Sequence, residues 1–216
     1  MAAGIMIFVE ISQKDQPRLA LHTVFLDRDG VINRKLPEGR YVTSWSEFDL
    51  LPGVPDAICR LNSAGLRVLV VTNQRGIALG LYTAEAVHQI HFQFRKLLTS
   101  HSASVDGVYF CPHDRSECDC RKPLPGLFAQ AVADFPDITA ATSIMIGDSL
   151  SDIQFGRDLG MRTIYLQGDT SRQKQGASLA SELADMRYPS LPEAVDSLLE
   201  ELQPWSDEAI RQAPIR

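Results

Sequence analysis

Five short apolar runs alternate along this chain with longer amphipathic stretches, and this alternation constrains the fold more than any other feature of the sequence. The runs are residues 23–26, 68–71, 108–110, 143–146 and 163–166. Strands that are buried on both faces of a parallel sheet have such continuous apolar sequences. Each strand then needs a crossover helix to reach its parallel neighbour. The pattern therefore predicts an α/β fold with a doubly wound, mostly parallel, Rossmann-like sheet.

The amphipathic stretches predict the helices that connect these strands. They are residues 54–64, 84–98, 125–134, 150–159, 176–185 and 192–202. Thr83 is a suitable N-cap for the second helix, and Gly65 and Gly160 are suitable C-terminal ends for the first and fourth. Residues 31–52 show no clear period, so we interpret them as an excursion from the sheet, with a small hairpin around residues 40–42.

The length of 216 residues suits one α/β domain. We predict that the domain spans residues 22–203, with an N-terminal extension at 1–21 and a C-terminal tail at 204–216. The connections between the predicted strands are short, which leaves little room for a second large domain.

Charge and hydropathy exclude several kinds of partner. The formal net charge is −6, whereas nucleic acids and membrane surfaces usually bind a basic face. No apolar run approaches the roughly 20 residues of a membrane span. The apolar stretch near the start has no basic residue, unlike a signal peptide. We therefore expect a cytoplasmic, monomeric protein that binds neither nucleic acid nor membrane.

Polar residues that can carry chemistry follow the ends of the predicted strands. They are Asp27 and Asp29 after the first strand, Thr72, Asn73 and Gln74 after the second, Arg121 and Lys122 on the loop after the third, and Asp148 and Asp152 after the fourth. In open α/β sheets, ligands bind at the edge formed by the carboxyl ends of the strands. The sequence therefore predicts one site in which these side chains meet.

The carboxylates suit phosphoryl transfer, which needs an oxygen nucleophile and a way to neutralise charge. Asp27 can attack phosphorus to form an aspartyl phosphate, and Asp27, Asp29 and Asp148 can bind Mg²⁺. Asp152 lies one helical turn after Asp148 and can support the metal site from behind. The alternative is a turn with solvated acids for the first pair, and helix capping for the second.

The remaining polar residues suit the binding of anions. Thr72, Asn73 and Gln74 can donate hydrogen bonds to phosphate oxygens, although such residues are also common in ordinary turns. Lys122 is a flexible point charge for phosphate, and the planar fork of Arg121 can bind a second anion or a pair of sugar hydroxyls. Two basic residues in a loop can also form a merely solvated surface.

The loop at residues 111–120 contains three cysteines and one histidine. Cys111, His113, Cys118 and Cys120 make up a closed tetrahedral ligand set for structural Zn²⁺, which is the usual reading of a cysteine cluster in a cytosolic chain. The alternatives are free thiols or a pairing of Cys118 with Cys120. A zinc ion here would fix the loop that carries Arg121 and Lys122.

Together these segments resemble the haloacid dehalogenase superfamily of phosphatases. The resemblance lies in Asp27-x-Asp29-Gly30, then Thr72, Lys122 and Gly147-Asp148-x-x-x-Asp152, in the order of that superfamily. The segments around these motifs are similar to the heptose bisphosphate phosphatases and to the histidinol-phosphate phosphatases. Both groups carry the Cys-x-His and Cys-x-Cys loop and lack a large cap domain.

The resemblance implies a role for each matching residue. Asp27 is the nucleophile, and Asp29 is the general acid and base. The side chains of Asp27 and Asp148 bind Mg²⁺ together with the backbone carbonyl of Asp29, and Thr72 and Lys122 bind the transferring phosphoryl group. The other substrate contacts that we expect are Asn73, Gln74, Arg75 and Arg121. The substrate is a small phosphorylated metabolite, with a heptose bisphosphate as the first expectation.

Two departures from the heptose phosphatase pattern leave the substrate open. Arg75 stands where serine is common, and Ser149 stands where lysine is common, so Arg75 is a candidate to restore the missing positive charge. Histidinol phosphate and other sugar phosphates remain alternatives. A rival of another class is a binding module with an inactive phosphatase fold, held together by zinc.

Overall fold

The computed structural model describes residues 21–173 and 175–202. Within them a sheet of six parallel strands has the order β3-β2-β1-β4-β5-β6. The strands are β1 Thr23–Leu26, β2 Arg67–Asn73, β3 Gly107–Cys111, β4 Ser143–Gly147, β5 Arg162–Leu166 and β6 Met186–Tyr188. This arrangement confirms the predicted doubly wound α/β sheet.

Six α-helices accompany the strands. They are α1 Val54–Ser63, α2 Ala84–Ser100, α3 Gly126–Asp134, α4 Leu150–Leu159, α5 Ala177–Leu183 and α6 Leu191–Leu202. The Thr83 side chain caps α2 by accepting a hydrogen bond from the backbone of Ala86, and α4 ends at Gly160 in the left-handed region. In the described part of the chain, no helix has the length and hydropathy to cross a membrane, and no cap domain is inserted between the strands.

Both faces of the sheet are buried, which explains the continuous apolar strands. Val24 and Leu26 face one core, which includes residues of α1, α2 and α6, whereas Phe25 between them faces the other, which includes residues of α3 and α4. Successive side chains of a strand point to opposite faces, so such a strand is apolar at every position.

The strand order places the site at the centre of the sheet. The chain runs outward from β1 through β2 to β3, then returns to start β4 on the other side of β1. Leu26 is paired with Ile146 across this junction, and the backbone N–H of Asp27 donates to the carbonyl of Ile146 at 3.0 Å. The carboxyl ends of β1 and β4 are thus the switch point at which ligands bind in open α/β sheets.

One expectation about local structure was wrong, and one strand was missed. Residues 40–42 form no hairpin; the excursion is instead closed at its base, where Leu51 N–H donates to the Ile32 carbonyl and Arg34 N–H donates to the Asp49 carbonyl. The edge strand β6 was not predicted, because three partly exposed residues carry too little pattern. The predicted extension at 1–21 and tail at 204–216 lie almost wholly outside the described residues.

Candidate active site

Lys122 lies at the centre of the predicted site. Its Nζ is 2.8 Å from Asp27 Oδ1 and 2.6 Å from Asp152 Oδ1, and it donates to the carbonyl of Val71 at 2.6 Å. Burial alone would lower the pKa of Lys122, but the carboxylates of Asp152 and Asp27 outweigh it and raise the pKa. Lys122 is therefore a buried ammonium that is held between two strand ends.

Three carboxylates form a compact cluster beside this ammonium. Asp27, Asp148 and Asp152 are all buried, and each offers an oxygen within 4.8 Å of the others. Carboxylate oxygens in this arrangement suit a hard divalent cation such as Mg²⁺. Asp152 lies next to the other two acids, and its oxygens are held by Lys122 Nζ and by the N–H and hydroxyl of Ser149, with which it forms the capping box of α4.

Two glycines make room for these carboxylates. A Cβ built on Gly30 would lie 2.2 Å from Asp148 Oδ2, and one built on Gly147 would lie 2.2 Å from Asp152 Cβ. Gly30 also has a positive φ of 104°, which side chains rarely adopt. Alanine at either position would displace a carboxylate of the cluster.

The side chain of Asp29 turns away from the other three acids. Both of its oxygens accept from Arg28 Nη2, at 2.9 and 2.8 Å, and it also accepts from Asn33 at 3.0 Å and Gln74 at 3.1 Å. Burial would raise the pKa of Asp29, but the Arg28 guanidinium and the hydrogen bonds hold it below its usual value. A general acid needs the opposite shift, so the structure favours the ionised, basic form of Asp29.

Arg28 connects Asp29 to a histidine that the sequence did not indicate. The Arg28 side chain is fully buried, and its Nη1 lies 3.4 Å from Nε2 of the buried His91. Burial first, and the Arg28 charge second, lower the pKa of His91 to about 3. The histidine is therefore neutral and can accept a hydrogen bond from the guanidinium.

The polar residues after β2 mostly hold other side chains in place. Gln74 is buried; its Nε2 donates to Thr72 Oγ1 at 2.9 Å, and its Oε1 accepts from the Tyr82 hydroxyl at 2.7 Å. Thr72 Oγ1 accepts that bond and keeps its own O–H for another acceptor. Asn73 donates to the carbonyl of Lys122 at 3.1 Å and accepts from its N–H at 3.0 Å. Gln74 and Asn73 thus orient Asp29 and Lys122.

The cysteine loop folds into the predicted ligand set. Cys118 Sγ is 3.5 Å from Cys111 Sγ and 3.4 Å from Cys120 Sγ, and His113 Nδ1 is 3.3 Å from Cys120 Sγ and 3.8 Å from Cys111 Sγ. A Zn–S bond of about 2.3 Å gives tetrahedral S–S edges of about 3.8 Å, so these four donors fit zinc. In this structure the three cysteines of the loop are free of disulfides, as a zinc site requires.

Burial raises the pKa of the Cys111 and Cys120 thiols. A divalent cation would offset that cost, because cysteine binds metals as the thiolate.

The two arginines expected at the substrate both adjoin this loop. Arg75 makes a bidentate ion pair with Asp114 of the loop, with one contact of 3.1 Å between Nη2 and Oδ2. Arg121 is partly buried, and its Nη1 has no hydrogen-bond partner among the described residues. Arg75 therefore braces the loop, whereas Arg121 keeps a donor for a ligand.

Lys35 is the cation of this site that the sequence did not reveal. It comes from the excursion after β1, and its Nζ lies 2.5 Å from Asp148 Oδ2. The unperiodic sequence around it gave no sign that its side chain folds back onto the fourth strand end. A basic residue soon after the Asp27 motif was the one available signal.

Comparisons with known proteins agree with this geometry. Residues 119–194 match a family model described as HAD-hydrolase-like. The chain is 39% identical over 169 residues to the D-glycero-alpha-D-manno-heptose-1,7-bisphosphate 7-phosphatase of Mycobacterium tuberculosis, covering 78% of this chain and 86% of that protein. It is 38% identical to the D-glycero-D-manno-heptose-1,7-bisphosphate 7-phosphatase of Chlorobaculum tepidum, covering 78% of this chain and 91% of the relative.

A solved structure supports the same family. The D,D-heptose 1,7-bisphosphate phosphatase of B. bronchiseptica, crystallised with magnesium and phosphate, superposes with a TM-score of 0.75 at 32% identity. The match covers 84% of this chain and 99% of that one. This chain is therefore a phosphatase, and it belongs to the haloacid dehalogenase-like family that contains the D-glycero-D-manno-heptose-1,7-bisphosphate 7-phosphatases.

Proposed function

We propose that this protein hydrolyses the 7-phosphate of D-glycero-D-manno-heptose 1,7-bisphosphate, with Mg²⁺ as cofactor and Asp27 as nucleophile. The observation that carries the proposal is the cluster of Asp27, Asp148 and Asp152 around the Lys122 ammonium, at the switch point of the sheet. The names of the relatives support the heptose, and the magnesium and phosphate of the B. bronchiseptica structure support the cofactor.

In the proposed reaction, a carboxylate oxygen of Asp27 attacks phosphorus, and the bond between phosphorus and the sugar oxygen breaks. Asp29 gives its proton to that leaving oxygen, then takes a proton from the water that hydrolyses the aspartyl phosphate. Asp29 is ionised in the free protein, so it must gain a proton as the substrate binds. An incoming phosphate dianion favours this, since a neighbouring negative charge raises the pKa of a carboxyl group.

Charge neutralisation is the task of the surrounding groups. Lys122 lies beside Asp27 and offsets the repulsion between its carboxylate and the phosphate, while Thr72 donates its O–H to a phosphate oxygen. The side chains of Asp27 and Asp148 and the backbone carbonyl of Asp29 would hold Mg²⁺, with Asp152 supporting them. When bound, Mg²⁺ supplies Lewis-acid stabilisation of the phosphoryl oxygens.

The remaining residues would bind the rest of the substrate or shape the site. We assign Arg121 to the second phosphate or to sugar hydroxyls, because its Nη1 is buried without a partner among the described residues. Zn²⁺ on Cys111, His113, Cys118 and Cys120 would fix the loop that precedes Arg121 and Lys122. We expect the protein to act on this small metabolite as a cytoplasmic monomer.

The test is a comparison of substrates in one phosphate-release assay with Mg²⁺. The relatives are named for α and β heptose anomers, so both anomers of the bisphosphate are assayed beside histidinol phosphate. We expect the heptose to have the higher kcat/KM by at least tenfold. A preference for histidinol phosphate would overturn the substrate, and no release from any phosphate ester would overturn the phosphatase reaction. The Asp27→Asn variant is the negative control.

A further inference from the structure

The packing of the fold does not explain why the Lys35 side chain is buried beside the carboxylate cluster. Its side chain is about 90% buried, yet it belongs to a loop and reaches a carboxylate 113 residues away. Burial of an ammonium costs free energy, and replacing a buried ion pair by apolar side chains often leaves a protein equally stable. A buried pair at a reactive cluster therefore needs a reason other than stability.

A second contact holds the Lys35 backbone in this position. Arg172, from the 3₁₀ helix Thr170–Arg172 after β5, donates from Nη1 to the carbonyl of Lys35 at 2.6 Å. Arg172 Nε is in turn 3.2 Å from Asp169. The loop after β1 is thus fastened to the loop after β5, on the side of the carboxylate cluster opposite the loop that carries Lys122.

The charges of the cluster show what Lys35 contributes. Asp27, Asp148 and Asp152 carry three negative charges, and Lys122 offsets one of them. A divalent cation would then make this cluster neutral, and the Arg28–Asp29 pair beside it adds no net charge. With the Lys35 ammonium included, the cluster carries one net positive charge. Lys35 thus makes the metal-loaded cluster itself attractive to anions.

A cavity beside Asp148 gives the Lys35 ammonium a place to act. It has a volume of about 250 Å³ and is lined by Gly30, Lys35 and Asp148, and by the guanidinium-bearing Arg34 and Arg172. Arg34 is paired with Asp49 and Arg172 with Asp169, and much of the remaining lining is apolar, so Lys35 is the ammonium between this cavity and the carboxylates. An anion in this cavity would meet Lys35 directly.

We propose that Lys35 is a second phosphate-binding ammonium of this active site, opposite Lys122, and that it exchanges Asp148 for a phosphate oxygen of the substrate. The exchange accompanies binding of Mg²⁺ by Asp148, since that carboxylate then has a cation in place of Lys35. This inference rests on the proposed phosphatase reaction. The phosphate is either the transferring group or the second phosphate of a bisphosphate, and the experiment separates the two.

The experiment compares wild type with Lys35→Met, which keeps the length of the side chain and removes the charge. Lys35→Arg tests whether charge alone restores binding, and Lys96→Met, at an exposed position of α2, is the matched control. Urea unfolding verifies that each variant is folded; if Lys35→Met is not, Lys35→Gln takes its place.

KM is measured for heptose 1,7-bisphosphate and heptose 7-phosphate. Calorimetry measures the binding of inorganic phosphate to the protein with Mg²⁺, and of Mg²⁺ alone.

Loss of a charge-assisted contact should weaken phosphate binding by about 10- to 100-fold. Equal losses for both sugars and for inorganic phosphate place Lys35 at the transferring group. A loss confined to the bisphosphate places it at the second phosphate. Phosphate binding and both KM values within twofold of wild type would overturn the proposal, whatever happens to the Mg²⁺ affinity. If wild type does not hydrolyse the heptose phosphates but Lys35→Met still weakens the binding of inorganic phosphate, the proposed substrate is wrong and the role of Lys35 stands.

Discussion

Asp152→Asn tests whether the buried ion pair with Lys122 is required for stability. Both side chains are only 1% exposed, and the variant removes the charge while keeping the shape of Asp152. Removal of one partner of a buried pair costs about 3–5 kcal/mol, because the remaining charge is left uncompensated. Lys122 keeps Asp27 and the Val71 carbonyl as partners, so we expect the lower end, about 3 kcal/mol. For a chain of this size that lowers Tm by roughly 6–12 °C.

The assay is urea unfolding with zinc present throughout, and the exposed pair Arg60–Asp196 provides a matched control. Its side chains are 45% and 55% exposed, so Asp196→Asn should cost less than about 1 kcal/mol. The raised pKa of Lys122 sets the pH window: the stabilisation is complete below its unfolded value of 10.5 and is lost as pH rises through the higher folded value. Equal losses for Asp152→Asn and Asp196→Asn at pH 8 would refute the reasoning.

Three further predictions address catalysis, zinc and pH. Asp27→Asn should abolish turnover because it removes the nucleophile, and turnover above a tenth of wild type in the phosphate-release assay would exclude Asp27 from that role. Cys120→Ser should lower the zinc content, the unfolding midpoint and the activity together; metal analysis showing a zinc-free yet fully active wild type would contradict a structural zinc. The depressed pKa of His91, about 3, favours folding above its unfolded value of 6.5, and this stabilisation is lost as pH falls. Wild type should therefore lose about 2 kcal/mol through His91 between pH 6.5 and 5, and His91→Gln should not; parallel stability curves in urea titrations would count against a buried neutral histidine.

The strands and helices of the interior were predictable because burial on both faces leaves a strong apolar pattern. The elements β1 and α4 have the predicted bounds, and the other central strands differ by at most two residues at either end. The lack of a period at residues 31–52 predicted the excursion after β1 but not its internal structure, since its backbone hydrogen bonds form at its base. Short edge elements such as β6 also escape prediction, because a three-residue, half-exposed strand has no distinctive sequence.

The sequence predicted which residues meet at the site better than it predicted what each contacts. Strand ends bring Asp27 and Asp148 together whatever their side chains do, so topology alone predicts that meeting. The partners of Asn73 and Gln74 depend on side-chain geometry. The sequence at a strand end does not show whether a polar residue binds a ligand or hydrogen-bonds to a neighbouring side chain. Lys35 and His91 reach the site through long-range contacts that leave no local pattern.

Gly30 and Gly147 bear on how related active sites are recognised in other sequences. An aspartate of the cluster packs directly against each glycine. Any side chain at these two positions would clash with that aspartate. A chain that keeps all the acidic residues but has alanine at the position of Gly147 would retain the carboxylates but could not pack them as they are packed here. Searches for active members of this family should therefore weigh these two glycines as heavily as the aspartates.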